Sequence, residues 1–196
     1  QLFIVCAYIA LLFGISMWVK KRADEAEIYR KLAFTDELTG VFNRTAFRAD
    51  LEKRVTEDPK TGVKKLLPGV IFMFDVNDLK KCNDRFGHEN GDIYIKAVSG
   101  ALEDTFHVDG RCYRIGGDEF CVLMNQTSQR DIDGRLSIVK KHIDDLNKKG
   151  FVVQMSVAAG YSLFDPEKDE DPDAAIKRAD EMMYSNKQAM KNAIYH

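Results

Sequence analysis

RCYRIGGDEFCVLM, residues 111–124, is the stretch that decides the fold. Two β-prone runs flank Gly116 and Gly117, and glycine adopts the backbone angles of a tight turn at no steric cost. The stretch is therefore predicted to form a β-hairpin. Asp118 and Glu119 follow the two glycines directly, so the tip of this hairpin carries two carboxylates.

A buried strand is predicted over residues 69–74, GVIFMF, a short apolar run that Asp75 ends. Continuous apolar runs of this length are typical of strands covered on both faces. Because sequential strands are usually neighbours in a sheet, we expect Asp75, Asp118 and Glu119 to meet at one sheet edge. Oxygen-only ligands of this kind favour Mg²⁺ that is shared with substrate phosphates. Taken alone, each acid is more often simply solvated.

The chain after Thr35 alternates helical and strand patterns. Asn43 is expected to cap a helix whose apolar spacing continues to Val55, and a loop follows through Pro59 and Pro68. Further predictions are a helix from about residue 90, a helix through residues 132–146, a strand near residues 151–159 and a last helix over residues 173–192. This βαββαβ-like order, with one extra helix at each end, predicts an α+β sandwich in which one mixed or antiparallel sheet is backed by helices.

The first residues have a different composition. Residues 2–19 contain no charge and would extend about 27 Å as a helix, close to the thickness of a bilayer core. We therefore predict a transmembrane helix over residues 1–19; the alternative is a buried core helix. Lys20, Lys21 and Arg22 follow directly, so the positive-inside rule predicts that the rest of the chain is cytoplasmic and the protein a membrane protein.

Residues 20–34 carry mixed charge at helix-compatible spacing and are predicted to form a connecting helix. This helix is either a solvated spacer or a segment that pairs with a copy of itself and sets the spacing of two domains. The predicted organisation is thus a transmembrane helix (residues 1–19), the connecting helix (20–34) and a catalytic domain (35–196).

Composition excludes several classes of protein. The 29 basic and 31 acidic residues leave a net charge of −2, so no basic field exists to hold nucleic acid. The four cysteines form no CxxC pair, which indicates neither a zinc site nor a disulfide framework. The chain also has no P-loop and no GxGxxG, so a Walker or Rossmann phosphate cradle is absent from the sequence.

Four segments together resemble the GGDEF family, the diguanylate cyclases. RIGGDEF at residues 114–120 is similar to the motif that names the family, and three further segments agree with family motifs in order and spacing. These are DELTGVFNR (36–44), FDVNDLKKCNDRFGHENGD (74–92) and RADEMMYSNKQAMKN (178–192). The resemblance covers the chain from about residue 35 to residue 196.

This resemblance implies a palm-like, ferredoxin-like domain that condenses two GTP molecules into cyclic di-GMP and releases two pyrophosphates. It further implies a homodimer with one GTP in each of two facing domains, a requirement for Mg²⁺ with Mn²⁺ as a substitute, and a bacterial source. Combined with the predicted membrane helix, the expected location is the bacterial inner membrane with the catalytic domain in the cytoplasm.

The resemblance also assigns roles to individual residues. Asp75 and Glu119 would be metal ligands, helped by the Val76 carbonyl, and Asp118 would serve the second metal near the attacking hydroxyl. Asn83 and Asp92 would read guanine, because a carboxylate accepts hydrogens from guanine that adenine does not present. The expected phosphate contacts are Lys80, Lys187, Lys191 and the backbone amides near Asp78 and Leu79.

Other interpretations of these residues stay open. Asn83 is also typical of turns, Asp92 of helix N-caps, and Lys80 and Lys187 of solvated faces. Lys191 replaces a family arginine and lacks its bidentate fork. At the level of the whole domain, the alternatives are a degenerate module that binds GTP or cyclic di-GMP without catalysis, and a cyclase that closes one GTP on itself.

Overall fold

The computed structural model describes residues 2–57, 59–60, 62, 64–169 and 171–194. Its helices are α1 (Leu2–Phe34), α2 (Arg44–Glu52), α3 (Leu79–Phe86), α4 (His88–Phe106), α5 (Gln129–Lys148) and α6 (Pro172–Ile194). Its strands are β1 (Phe42–Asn43), β2 (Val55–Glu57), β3 (Lys64–Leu66), β4 (Gly69–Val76), β5 (Gly110–Arg114), β6 (Glu119–Asn125) and β7 (Val157–Phe164).

Five strands form one mixed sheet in the order β1-β5-β6-β4-β7. The short strand β1 runs parallel to β5, whereas β5, β6, β4 and β7 are antiparallel to their neighbours. The predicted hairpin is confirmed as β5 and β6, and the predicted apolar strand is confirmed as β4. The sheet is therefore the mixed sheet of an α+β fold that the sequence indicated.

The residues of β4 alternate between two cores, and every residue of the strand is buried. Phe72 and Phe74 pack in the core that contains α4 and α5, whereas Ile71 and Met73 pack in the core that contains α2 and α6. Because successive side chains of a strand point to opposite faces, Asp75 continues the second series. Its carboxylate thus lies on the face that α6 covers.

Several elements differ from their predicted bounds. The segment predicted as a loop before Pro68 contains the antiparallel pair β2 and β3. Helix α3 precedes α4, and α4 begins at His88 rather than near residue 90. Strand β7 begins at Val157 and not at residue 151.

Side chains satisfy the backbone just before β7, where the sequence predicted a strand. The Met155 amide donates to Asn147 Oδ1 at 2.6 Å, and Asn147 Nδ2 donates to the Met155 carbonyl at 2.8 Å. The Ser156 amide donates to the Tyr94 hydroxyl at 2.7 Å. This segment therefore meets its hydrogen-bonding needs without strand pairing.

The first helix corrects the prediction of a membrane protein. α1 runs unbroken to Phe34, so the connecting segment does continue the N-terminal helix. The prediction that residues 1–19 span a membrane is wrong, and so is the inner-membrane localisation: in the described part of the chain no helix is long and apolar enough to cross a membrane.

Helix α6 covers the outer edge of β7 with side chains one helical turn apart. Arg178 Nη2 donates to the Leu163 carbonyl at 2.9 Å, and Asn186 Oδ1 accepts from the Ala159 amide at 3.0 Å. Between them, the Met182 sulfur accepts from the Tyr161 amide at 3.5 Å. An uncovered edge strand offers its free backbone groups to other chains, and these contacts remove that hazard. They also fix the register of α6 along the sheet.

Gly160 allows α6 to approach β7 closely. A Cβ atom at this position would collide with the Ala179 carbonyl and the Met183 backbone on α6. Both obstacles are main-chain atoms of a helix, which do not move aside as the end of a flexible side chain does.

We expect Gly160→Ala to lower the free energy of unfolding by about 2–3 kcal/mol, because the helix must shift away from the sheet. The matched control is Gly134→Ala on α5, where a Cβ would meet nothing within 4 Å. That variant should have a free energy of unfolding higher by about 0.5–1 kcal/mol, because alanine restricts the unfolded chain more than glycine does. Urea denaturation measures both; equal effects would contradict the close packing of α6 on β7.

Candidate active site

Asp75 on β4 and Glu119 on β6 are directly opposite each other in the antiparallel ladder. The Val76 amide donates to the Asp118 carbonyl at 2.9 Å, which identifies Asp75 and Glu119 as a non-hydrogen-bonded pair. In such pairs the two Cα atoms are about 4.5 Å apart and the side chains project from the same face. The structure therefore brings these two predicted metal ligands together, with Val76 and Asp118 as their direct chain neighbours.

The glycine turn leaves room for the Glu119 carboxylate. A Cβ on Gly116 would lie 2.5 Å from Glu119 Oε2, so a side chain at position 116 would displace that carboxylate. A Cβ on Gly117 would meet nothing within 4 Å. The absence of a side chain at Gly116 thus allows the Glu119 carboxylate to keep its position.

Arg114 connects this turn to the segment that follows α1. Its Nη2 donates to the Gly117 carbonyl at 2.7 Å, and its Nη1 donates to Asp36 Oδ1 at 3.1 Å. Burial raises the pKa of Asp36, but hydrogen bonds from Thr39 and Arg114 outweigh that effect and lower the pKa overall. Asp36 is thereby held as the charged partner of Arg114.

Lys187 on α6 binds Asp75 directly. Its Nζ donates to Asp75 Oδ1 at 2.6 Å, and the two side chains are 23% and 9% exposed. Met183 lies one helical turn earlier and packs against Gly160, so the close approach of α6 carries Lys187 over the end of β4. The buried carboxylate of Asp75 therefore has a cationic partner from another element.

Negative charge accumulates around Glu119. Burial raises the pKa of Glu119, and the carboxylates of Asp118, Asp75 and Asp180 raise it further, while Lys187 opposes the shift. Asp180 was not among the residues predicted from the sequence. It precedes Lys187 by seven positions, two turns of α6, so helical spacing is the signal that would have found it.

The donor chemistry fits a divalent cation. Within the described residues no three acidic, histidine or cysteine side chains are already grouped around one cation position. However, Asp75 and Glu119 supply hard oxygen donors side by side, and the ammonium of Lys187 stands where positive charge is favoured. Mg²⁺ needs only one or two carboxylates, since it completes its shell with water and phosphate oxygens.

Three of the predicted phosphate contacts, at Asp78, Leu79 and Lys80, lie at the start of α3. Asp78 precedes the helix with φ at 56°, and its side chain forms no capping hydrogen bond. Leu79 is the first residue of α3, and Lys80 next to it is exposed. Lys191, one turn beyond Lys187 on α6, is exposed as well. Backbone amides at an uncapped helix start are suited to bind an anion.

Asn83 on α3, one of the two predicted guanine contacts, packs against Gly91 on α4, the chain neighbour of the other, Asp92. Asn83 Oδ1 is buried and has no hydrogen-bond partner, and a Cβ on Gly91 would collide with it. Asp92 is exposed next to Gly91. The alternative that Asp92 caps a helix is wrong, because α4 begins at His88 with Gly87 as its N-cap.

A polar network that was not predicted from the sequence connects the loop between β4 and α3 with α4 and with the segment before β7. The Tyr94 hydroxyl donates to the Asn77 and Ser156 carbonyls, each at 3.1 Å, and Asn77 Nδ2 donates to Ser156 Oγ at 3.1 Å. Burial raises the pKa of Tyr94, so its hydroxyl stays neutral and able to donate. Asn77 also contacts the Met190 sulfur at 3.7 Å, which links the loop to the end of α6.

Fold and site together define a domain with paired strand-end acids, a lysine beside them and a helix start facing outward. Comparison with known proteins agrees with this class. The profile described as "Diguanylate cyclase, GGDEF domain" matches residues 33–193, and the chain belongs to this family.

The similar proteins include one named as a cyclic di-GMP phosphodiesterase and others named as diguanylate cyclases. The chain is 31% identical over 189 residues to the cyclic di-GMP phosphodiesterase PdeR of Escherichia coli, covering 96% of this chain and 26% of that protein. It is 32% identical over 170 residues to the diguanylate cyclase DgcP of Pseudomonas aeruginosa, covering 86% and 24%. The chain thus spans about a quarter of the length of these two relatives.

Solved structures show the same fold. The coiled coil and GGDEF domain of DgcB from Caulobacter crescentus, in complex with c-di-GMP, superposes with a TM-score of 0.77 at 22% identity, covering 92% of this chain and 94% of that one. At this identity the similarity establishes the fold alone.

The raised pKa of Glu119 predicts a pH dependence of stability. In the metal-free protein the folded state binds more protons than the unfolded state between the ordinary pKa of 4.5 and the raised value. The free energy of unfolding contributed by this group therefore falls as pH rises through that window, and Glu119→Gln should remove the fall and be more stable than wild type at neutral pH.

Chemical denaturation in EDTA across this pH range measures the effect. Glu52→Gln is the control, because Glu52 is an exposed glutamate at the end of α2. It should keep the wild-type pH profile, and a Glu119→Gln profile parallel to wild type would contradict the charge cluster.

Proposed function

We propose that this protein is a diguanylate cyclase that condenses two GTP molecules into cyclic di-GMP and two pyrophosphates. The observation that carries the proposal is the cross-strand pair of Asp75 and Glu119, with Lys187 on the same face. Strand-end carboxylates beside a lysine suit a triphosphate that arrives with a divalent cation.

In this proposal Asp75, Glu119 and the Val76 carbonyl hold Mg²⁺, or Mn²⁺ in its place, and Asp118 supports a second ion. The bound cation would neutralise the triphosphate and polarise the α-phosphate. The 3′-oxygen of each GTP would bond to the α-phosphorus of the other, each bond to a pyrophosphate would break, and each 3′-proton would be released to solvent near Asp118. The chain contributes position and charge rather than a covalent intermediate.

Lys80, Lys187 and Lys191 bind the triphosphate in this proposal, together with the amides of Asp78 and Leu79. The uncapped start of α3 supports the amide contacts. Lys191 supplies one point charge, so its contact with phosphate is less directional than that of a forked guanidinium.

Asn83 and Asp92 select guanine in this proposal. The buried, unpartnered Oδ1 of Asn83 supports the assignment, since a buried acceptor without a partner is costly unless a ligand supplies the donor. The exposed carboxylate of Asp92 is available for the N1 hydrogen and the exocyclic amine of guanine.

Two facing copies of a palm-like domain, residues 35–196, form the proposed catalytic homodimer. Residues 20–34 would pair with their counterparts in the second copy. The exposed apolar side chains of Ile28, Tyr29 and Leu32 on this part of α1 support such pairing, because unpartnered apolar surface favours association.

The alternative is a degenerate module that binds GTP or cyclic di-GMP and relays a signal. The relation to PdeR, which is named as a phosphodiesterase, keeps this alternative open. The close pairing of Asp75 with Glu119 and their position beside Asp118 favour an enzyme.

Product analysis separates the possibilities. Purified protein incubated with GTP and Mg²⁺ should form cyclic di-GMP, and Glu119→Gln should lower the rate by about 10²-fold or more, since it removes one anionic ligand. Circular dichroism should show an intact fold. Cyclic GMP as the product would identify a mononucleotide cyclase, and nucleotide binding without any product would identify the binding module.

Asp92→Ser tests base recognition. The variant should raise KM for GTP and reduce the preference for GTP over ATP by about tenfold or more, because a lost charged hydrogen bond is worth about 1.5–3 kcal/mol. Competition between the two nucleotides measures the ratio. Undiminished selection of GTP would remove Asp92 from the base site.

A further inference from the structure

The position of Lys187 is not explained by exposure to solvent or by phosphate binding alone. Its ammonium lies 2.6 Å from Asp75 Oδ1, and both side chains are largely shielded from water. Shielding makes an ion pair stronger than it is on an open surface. The carboxylate that the cation needs is thus already paired inside the protein.

The backbone around Lys187 is fixed on two sides. Asn186, its chain neighbour, accepts the Ala159 amide at 3.0 Å, and Met183, one turn earlier, packs on Gly160. Beyond the fixed helix, the lysine side chain retains a flexible four-carbon stem. Its ammonium is therefore able to exchange one anion for another while α6 stays in place.

The charges around Lys187 and Asp75 determine when the Lys187 ammonium can leave Asp75 for another anion. Without nucleotide, Lys187 binds Asp75 and opposes the effect that the carboxylates of Asp118, Asp75 and Asp180 have on Glu119. A divalent ion entering alone would meet the ammonium at the oxygen that it needs. A triphosphate would offer Lys187 another set of anionic oxygens and release Asp75.

We propose that Lys187 is an internal counter-ion that closes the metal site until a triphosphate draws its ammonium away from Asp75. This inference rests on the proposed function for the identity of the triphosphate. It assigns Lys187 a positioning role that acts through Asp75, besides any contact with phosphate. The consequence is that cation and nucleotide enter together, so the domain does not bind free divalent cations tightly.

Mn²⁺ binding to the nucleotide-free protein tests the counter-ion directly. The titration follows free Mn²⁺ by electron paramagnetic resonance in wild type, Lys187→Met and Lys177→Met. Lys177 lies on the same helix and is exposed, so its variant has the same change in net charge away from Asp75. Lys187→Gln is a second variant in case the methionine impairs folding.

We expect Lys187→Met to bind Mn²⁺ about tenfold more tightly than wild type, within the usual range of coupling between two sites. Lys177→Met should match wild type, and Asp75→Asn added to Lys187→Met should abolish the gain. Unchanged or weaker binding in both Lys187 variants, or an equal gain in Lys177→Met, would overturn the counter-ion role.

This experiment is independent of the proposed function. The titration uses neither nucleotide nor turnover, so a failed cyclase assay leaves its result valid. Conversely, a wild-type protein that forms cyclic di-GMP while Lys187→Met shows no gain in Mn²⁺ affinity would retain the proposed function and reject the counter-ion.

Discussion

The pairing of two carboxylates across neighbouring strands is the constraint on which the site depends. Like charges opposite each other destabilise a sheet, and burial makes the cost larger. Asp75 near the end of β4 and Glu119 at the start of β6 are nevertheless in direct register. The fold tolerates this arrangement because Lys187 neutralises part of the charge and because the turn leaves space for Glu119. Because its carboxylates repel one another when no cation is bound, the site is well suited to bind cations together with a polyanion.

The rest of the domain supports that pair from both sides. On one side, α6 is held along the edge of β7 by Arg178, Met182 and Asn186, which brings Lys187 to Asp75. On the other side, Arg114 ties the carbonyl of Gly117 to Asp36. The segment around Asp36 is also joined to the end of α1. Asn43, which caps α2, donates its Nδ2 hydrogens to the carbonyls of Ala33 and Thr35. The first helix and the acidic turn are thus connected by consecutive hydrogen bonds.

Sequence patterns predicted the elements that depend on local chemistry. The hairpin, the apolar strand β4 and the cap of α2 at Asn43 are all present. The reason predicted for the two turn glycines is wrong, because neither Gly116 nor Gly117 adopts a positive φ. Gly116 instead leaves room for the Glu119 carboxylate. The start of β7 was misplaced because the preceding backbone is bound by the side chain of Asn147, eight residues before Met155, and by that of Tyr94, which is far away in sequence. Long-range contacts of this kind leave no periodic pattern.

The acidic residues of the site could be predicted from the sequence, whereas the contact made by its lysine could not. Asp75 and the hairpin acids are marked by their place at strand ends, whereas the contact of Lys187 with Asp75 depends on how closely α6 approaches Gly160. That distance is a property of packing and is not visible in composition or spacing. The membrane helix was predicted from the uncharged run at residues 2–19, but among the described residues no helix is long and apolar enough to cross a membrane.

A crystal structure with Mn²⁺ and a non-hydrolysable GTP analogue, with the ion located by anomalous scattering, tests the central claim most directly. We expect an anomalous peak about 2.1 Å from carboxylate oxygens of both Asp75 and Glu119, with Lys187 turned toward the triphosphate. A peak held by the triphosphate alone, with the two carboxylates pointing apart, would contradict it.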